Sequence, residues 1–149
     1  MRTDVSADAL RDEHERLDRQ FADLCNRADS GDWQVCDEIW DAFAADLEDH
    51  LAYEERFVFP DYERSSDEAA FRAIDFHREH RFIRSQLAEI GIDIQLHVIR
   101  AWRIEAFVAA LRTHAEHERE TFYLWLAARQ ADARAGAPKV SDRHQPSAH

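Results

Sequence analysis

The chain is predicted to be all-α, folded as an up-down-up-down four-helix bundle. Three observations carry that expectation. Apolar residues recur at steps of three and four in four separate stretches, turn signals fall between those stretches, and only three Gly and three Pro interrupt 149 residues rich in Asp, Glu, Arg, Ala and Leu. The step is the 3.6-residue period of an amphipathic helix, and the composition favours helix.

The elements follow in order. The first stripe is Leu10, His14, Leu17, Phe21, Leu24 and Ala28, closed by Ser30-Gly31-Asp32, which can also cap the next helix. The second is Cys36, Trp40, Phe43, Leu47, His50, Glu54 and Phe57, ended by Pro60 and the polar run through Ser65-Ser66-Asp67-Glu68. Ala70, Ile74, His77, His80, Ile83, Leu87 and Ile90 form the third, with Gly91 as its punctuation. The fourth is Ile104, Phe107, Leu111, His114, Glu118, Phe122 and Trp125. Between the last two, Ile90, Ile92, Ile94, Leu96 and Val98 alternate with polar residues as a strand would, but a lone strand has no partner, so a loop or short crossing helix is expected there. A bundle over residues 1–131 and a disordered polar tail over 132–149, carrying His144 and His149, complete the domain reading.

A chain of this length supports one domain with a real core. Its formal charge of −12, from 31 acidic and 19 basic residues, argues against nucleic acid or an anionic membrane as partner. The N-terminal residues offer no apolar stretch suited to a signal peptide, and no segment approaches the ~18 apolar residues of a membrane span. A soluble, cytoplasmic protein is expected. Cys25 and Cys36 flank the first turn and read as two thiols of a reducing compartment, not as a zinc site.

Each stripe is apolar except near its middle, where it carries His or His with Glu. His50-Leu-Ala-Tyr-Glu54 and His114-Ala-Glu-His-Glu118 each place an imidazole and a carboxylate one turn apart on a single helix face. In antiparallel hairpins, residues at one height lie equally far from the turn. His14 and His50 are equidistant from residue 32, the 50–54 pair and His80 from residue 66, and His80 and His114 from residue 97. All four helices therefore bring their polar residues to one level.

Two buried carboxylates among four or five histidines are costly without a counter-charge, because neutral imidazoles do not neutralise Glu. A pair of dications does. His14 and His50 would serve one ion, His80 and His114 the other, with Glu54 and Glu118 as bridges. Imidazole and carboxylate without thiolate suit iron, manganese or zinc; open coordination positions favour two iron ions, with zinc or manganese second. The ferritin-like Glu-x-x-His pattern and the zincin His-Glu-x-x-His pattern are both missing.

A His in helix one, His-x-x-x-Glu in helix two, a His in helix three and His-x-x-x-Glu in helix four resemble the hemerythrin-like, or HHE cation-binding, family. The run Glu54-Glu55-Arg56-Phe57-Val58-Phe59-Pro60 is similar to the phrase that closes helix two in that family, and Glu118-Arg-Glu-Thr-Phe122-Tyr123 repeats it. The resemblance covers about residues 7 to 130. It implies a carboxylate-bridged non-haem di-iron centre held by His14, His50, Glu54, His80, His114 and Glu118. It also implies a role in oxygen binding, in sensing or storing a small diatomic ligand, peroxide or iron, or in stress response. Two departures separate the chain from oxygen carriers of this type: His77-x-x-His80 replaces His-x-x-x-His, and Arg119 stands fifth after His114. The pattern is nearer to four-His, two-Glu relatives, including di-iron proteins linked to iron–sulfur cluster repair. A peroxide-consuming oxidoreductase and a metal-free scaffold are the alternatives.

His77 and His80 point about 60° apart on one helix. His77 is therefore a candidate fifth nitrogen ligand on the His80/His114 ion, or a group beside its open position, or a seam residue bonded to a carbonyl or carboxylate. As a ligand it would leave mainly the His14/His50 ion open. His117, three residues after His114, is a weaker candidate of the same kind, and His97 is expected to lie far from the site.

Overall fold

The computed structural model describes residues 6–136. Four antiparallel rods form the bundle, and among the described residues all regular structure is helical. The first rod is α1 (Ala7–Asp29). The second runs α2 (Trp33–Tyr53), a π-helical turn π1 (Glu54–Val58) and α3 (Phe59–Ser65). The third is α4 (Asp67–Gln95), and the fourth runs α5 (Ala101–Glu118), π2 (Arg119–Tyr123) and α6 (Leu124–Ala135). α1 packs on α2, α2 on α4, α4 on α5, and α6 returns against α1.

Serine caps start two of the rods. Ser6 accepts a hydrogen bond from the Ala9 amide and Ser66 from the Ala69 amide, each at 3.0 Å. α1 ends in a Schellman turn: Gly31, at φ 72°, donates to the Ala28 carbonyl and Asp32 to that of Arg27. α4 ends the same way with His97 in the left-handed position at φ 55°, donating to Ile94 while Val98 donates to Asp93. The His97 ring stacks on Trp33, centroids 4.8 Å apart.

Three sequence expectations shift. Gly91 does not end the third helix, which continues to Gln95; a Cβ on Gly91 would lie 3.1 Å from Trp40 Nε1, so the glycine is there for a close approach between helices. The third connection is a loop, Leu96–Arg100, one of the two forms expected there. Pro60 does not end the second rod: it falls in the first turn of α3, directly after π1, and the rod continues to Ser65. α6 reaches Ala135, past the expected boundary at 131; the rest of the tail, with His144 and His149, lies outside the described residues.

The core is in two parts. One comprises Leu17, Phe21, Phe43, Leu47, Leu51, Ile83, Leu87, Ile90 and Phe107 with their neighbours, near the 30–32 turn. The other gathers Leu10, Val58, Phe59, Tyr62, Ala69, Ala73, Phe76, Phe122, Tyr123 and Leu126. Between them lies a layer of His and Glu. No helix among the described residues is long and apolar enough to cross a membrane. Cys25 and Cys36 are free thiols, and burial pushes both thiol pKa values up.

Candidate metal centre

Each rod contributes its middle to this layer. α1 supplies His14, α2 supplies His50 and hands over to π1 at Glu54, α4 supplies His80, and α5 supplies His114 and Glu118 just before π2. Both π turns thus begin within a residue of a buried carboxylate, a placement typical of functional sites. A π turn fits one more residue into its turn than the α-helical pattern allows. Beyond it the inward face moves by one position, so Phe57, expected in the core, is 48% exposed while Val58 and Phe59 are buried.

Glu54 and Glu118 are fully buried, and His50, His80 and His114 are nearly so. His14 is the most accessible of the six, with 15% of its side chain exposed. The Nε2 atoms of His14 and His50 lie 2.9 Å apart. Glu118 reaches both imidazole pairs: its Oε2 is 3.4 Å from His14 Nε2, and its Oε1 is 3.4 Å from His80 Nε2 and in close contact with His114 Nε2. Glu54 Oε1 likewise lies between pairs, 3.2 Å from His50 Nε2 and 3.6 Å from His80 Nε2. Two overlapping groups, Glu54/His80/His114/Glu118 and His14/His50/Glu118, each converge tightly enough to hold one cation.

The donor chemistry fits a metal. Glu54 Oε1 and His114 Nε2 are buried and directed into the layer, where they make no well-formed hydrogen bond and face only other candidate ligand atoms. Such orphan atoms are expensive unless something else satisfies them. Behind the imidazoles stands a second ring of carboxylates. His50 Nδ1 donates to Glu13 Oε2 at 2.7 Å and His114 Nδ1 to Glu79 Oε2 at 2.6 Å, while His80 Nδ1 lies 3.4 Å from Glu55 Oε1. An Nδ1–H directed outward leaves the Nε2 lone pair facing the centre, the tautomer a metal requires. Glu55 is itself held by Arg84, whose Nη1 donates to its Oε2 at 3.0 Å.

The electrostatics correct the expectation of neutral imidazoles: without metal, protons on the histidines offset the two carboxylates. Burial alone would lower the pKa of His50, but the Glu54 and Glu118 charges and the hydrogen bonds to Glu13 and Glu54 outweigh it and push the ring up to about 10. His114 reaches about 10 in the same way, against its own burial, through Glu118, Glu79 and Glu54. His80 is raised too. Burial would raise Glu118, yet the imidazoles, His114 foremost, hold it well below the ordinary carboxylate range. A proton and a metal compete for the same lone pair, so a field that strengthens one strengthens the other.

The structure thus gathers His14, His50, Glu54, His80, His114 and Glu118 and leaves His77 out. His77 Nε2 pairs with Glu63 Oε1 at 2.7 Å near the surface. Its stripe slipped by one residue: Ala69, Ala73 and Phe76 face inward, whereas Ala70 and Ile74 are exposed. The lower core already holds Phe59, Tyr62, Phe122 and Tyr123, so α4 presents two alanines to it. His117 donates to the second oxygen of Glu79 at 2.8 Å and stacks on Phe76. It acts behind His114, not beside it. Sequence reasoning missed Glu13, Glu55, Glu79 and Tyr123. The dipeptides Glu13-His14 and Glu79-His80 were the available signal: a Glu one step, about 100° round the helix, from an inward His faces the neighbouring helix.

A cavity of about 150 Å³ leads from solvent to His14, His50 and His114, walled by Leu47, Leu111 and Ala115 among others.

The model of the hemerythrin HHE cation binding domain matches residues 5–126. The chain belongs to that family, and its buried His/Glu cluster is the kind of group that holds a metal cation. Comparisons with curated proteins and with solved structures each gave no match.

Proposed function

We propose that this protein holds two iron ions in the buried layer and uses them to bind a small oxidant or gas such as O2, NO or peroxide. His14 and His50 serve one ion, His80 and His114 the other, and Glu54 and Glu118 span both. The observation that carries this reading is the pair of buried carboxylates, each placed against imidazoles of both halves. A single-ion site needs no such bridge. Iron suits the reading better than zinc, which settles at four ligands, or manganese. The bound ions would supply an open, redox-active coordination position.

The chain's own residues do the rest. Glu13 and Glu79 fix the tautomers of His50 and His114, and the cavity reaches them between Leu47, Leu111 and Ala115 and the charged side chains of Arg11, Glu15, Arg112 and Arg119. A space of about 150 Å³ is ample for a diatomic molecule or peroxide and lies below the roughly 300 Å³ at which sites for drug-sized ligands begin. Protein purified from iron-supplemented cells should carry about two irons per chain, with near-ultraviolet absorption from a ferric pair that changes on exposure to NO or peroxide. One ion per chain, or zinc alone after iron loading, overturns the reading.

A further inference from the structure

The two halves of the centre are not equivalent, and the difference is Tyr123. Each bridging Glu is followed five residues later by a buried aromatic at the far end of a π turn: Phe59 after Glu54, and Tyr123 after Glu118. Phe59 lays its ring beside His80, centroids 5.0 Å apart, and brings no polar atom. Tyr123 occupies the corresponding place beside His14, centroids 5.6 Å apart, and brings a hydroxyl. That oxygen lies 3.1 Å from His14 Nε2, 3.0 Å from Glu118 Oε2 and 3.2 Å from Glu54 Oε2.

We infer that Tyr123 is a fifth protein ligand, through its phenolate oxygen, of the iron held by His14 and His50. The inference rests on the di-iron reading and makes its two sites chemically distinct.

Three features support it. First, packing does not require the hydroxyl, since a phenyl ring fills the matching position in the other half. A buried hydroxyl needs a use. Second, one O–H can donate to only one of the two carboxylates facing it. Third, the spacing is that of neighbours around one ion. Nitrogen and oxygen bonds to a first-row dication are about 2.0–2.2 Å, which puts donors at right angles about 3 Å apart. The His14–His50, Tyr123–His14 and Tyr123–Glu118 separations of 2.9, 3.1 and 3.0 Å match.

On binding, the phenol gives up its proton to solvent or buffer as the oxygen–iron bond forms; no oxidant is consumed and the iron keeps its oxidation state. The His14/His50 ion then has five protein ligands where its partner, facing Phe59, has four.

The test is resonance Raman and visible absorption of the iron-loaded, air-oxidised full chain. A ferric phenolate gives a visible charge-transfer band, and excitation within it enhances tyrosine ring vibrations, which shift in protein grown on ring-deuterated tyrosine. Both signatures are expected in the parent, in Tyr53→Phe and in Tyr62→Phe. Both should be lost in Tyr123→Phe. Two irons per chain without enhanced tyrosine modes in the parent overturns the ligand and leaves the di-iron centre standing. Modes that persist in Tyr123→Phe overturn it as well. A parent that takes up no iron overturns the centre and the ligand together.

Discussion

Removing the carboxylate behind a ligand histidine should weaken metal binding without touching a ligand, and Glu79 is the place to do it. Its two oxygens hold His114 Nδ1 at 2.6 Å and His117 Nδ1 at 2.8 Å. With 31% of the side chain exposed, its value as a bare charge is screened, so its effect comes through orientation and tautomer. Loss of such a partner costs about 10- to 100-fold in metal affinity, or about 1.4–2.7 kcal/mol. Glu79→Gln keeps a carbonyl oxygen for the His114 N–H and should fall near the tenfold end; Glu79→Ala leaves a buried imidazole without its partner and should fall near the hundredfold end. At fixed free metal well above Kd, those losses lower the melting midpoint by about 3–10 °C for a chain of this size. Competition against a graded series of chelators gives the affinity, and thermal melts at buffered metal give the second readout. Glu63→Gln, which removes the partner of His77, is the control and should change neither. Equal affinity in Glu79→Ala and parent, or an equal loss in Glu63→Gln, would refute the assignment of Glu79 as the support of a ligand.

Glu54→Ala and Glu118→Ala should each lower iron content from about two per chain to one or none, whereas His77→Ala and His97→Ala should leave it unchanged by metal analysis. pH should act oppositely on metal-free and loaded protein. Without metal, His50 and His114 hold protons up to about pH 10 against 6.5 for a free imidazole. Their stabilisation is therefore complete below about 6.5 and drains as pH rises through 10, while Glu118, held low, loses its contribution as pH falls below the ordinary carboxylate range. In loaded protein the imidazoles must shed those protons, so metal affinity should rise over the same interval; melts and metal titrations from pH 6 to 10 that move together would contradict this. Ala115→Phe narrows the cavity at its wall and should slow the reaction with NO or peroxide by stopped-flow while metal content holds; an unchanged rate would place the access path elsewhere.

The heights of the ligands were legible in the sequence because turn and ligand positions constrain each other. The His80/His114 pair placed the third turn at residue 97, and the turn is there, although Gly91 suggested an earlier break. Composition alone misread that glycine, since contact with Trp40 is a tertiary fact. The π turns were invisible for a similar reason. They bring Val58, Phe59 and Tyr123 to the inward face through one extra residue per turn, which a 3.6-residue stripe does not register. The slip that lost Ile74 to solvent also took His77, since both followed from reading large aliphatics as inward where aromatic rings left room only for alanine. Glu55 looked like any solvated helical acid, and Glu13 and Glu79 were marked only by standing one residue before an inward His; what distinguishes all three is an imidazole on a neighbouring rod.

The layered core has a consequence for how this protein comes apart. Two apolar cores that meet across a layer of charge are expected to open as separate cooperative units. The first is closed by the tight turn at Gly31, and the second depends on α3, α6 and the lower part of α4 finding one another. Ions shared by all four rods would couple the two, so that neither opens without releasing metal. Amide exchange should then report two opening energies in stripped protein, lower for α3 and α6, and a single one once the layer is filled. By this argument the residues that recognise the ion also decide whether the bundle unfolds as one body or as two.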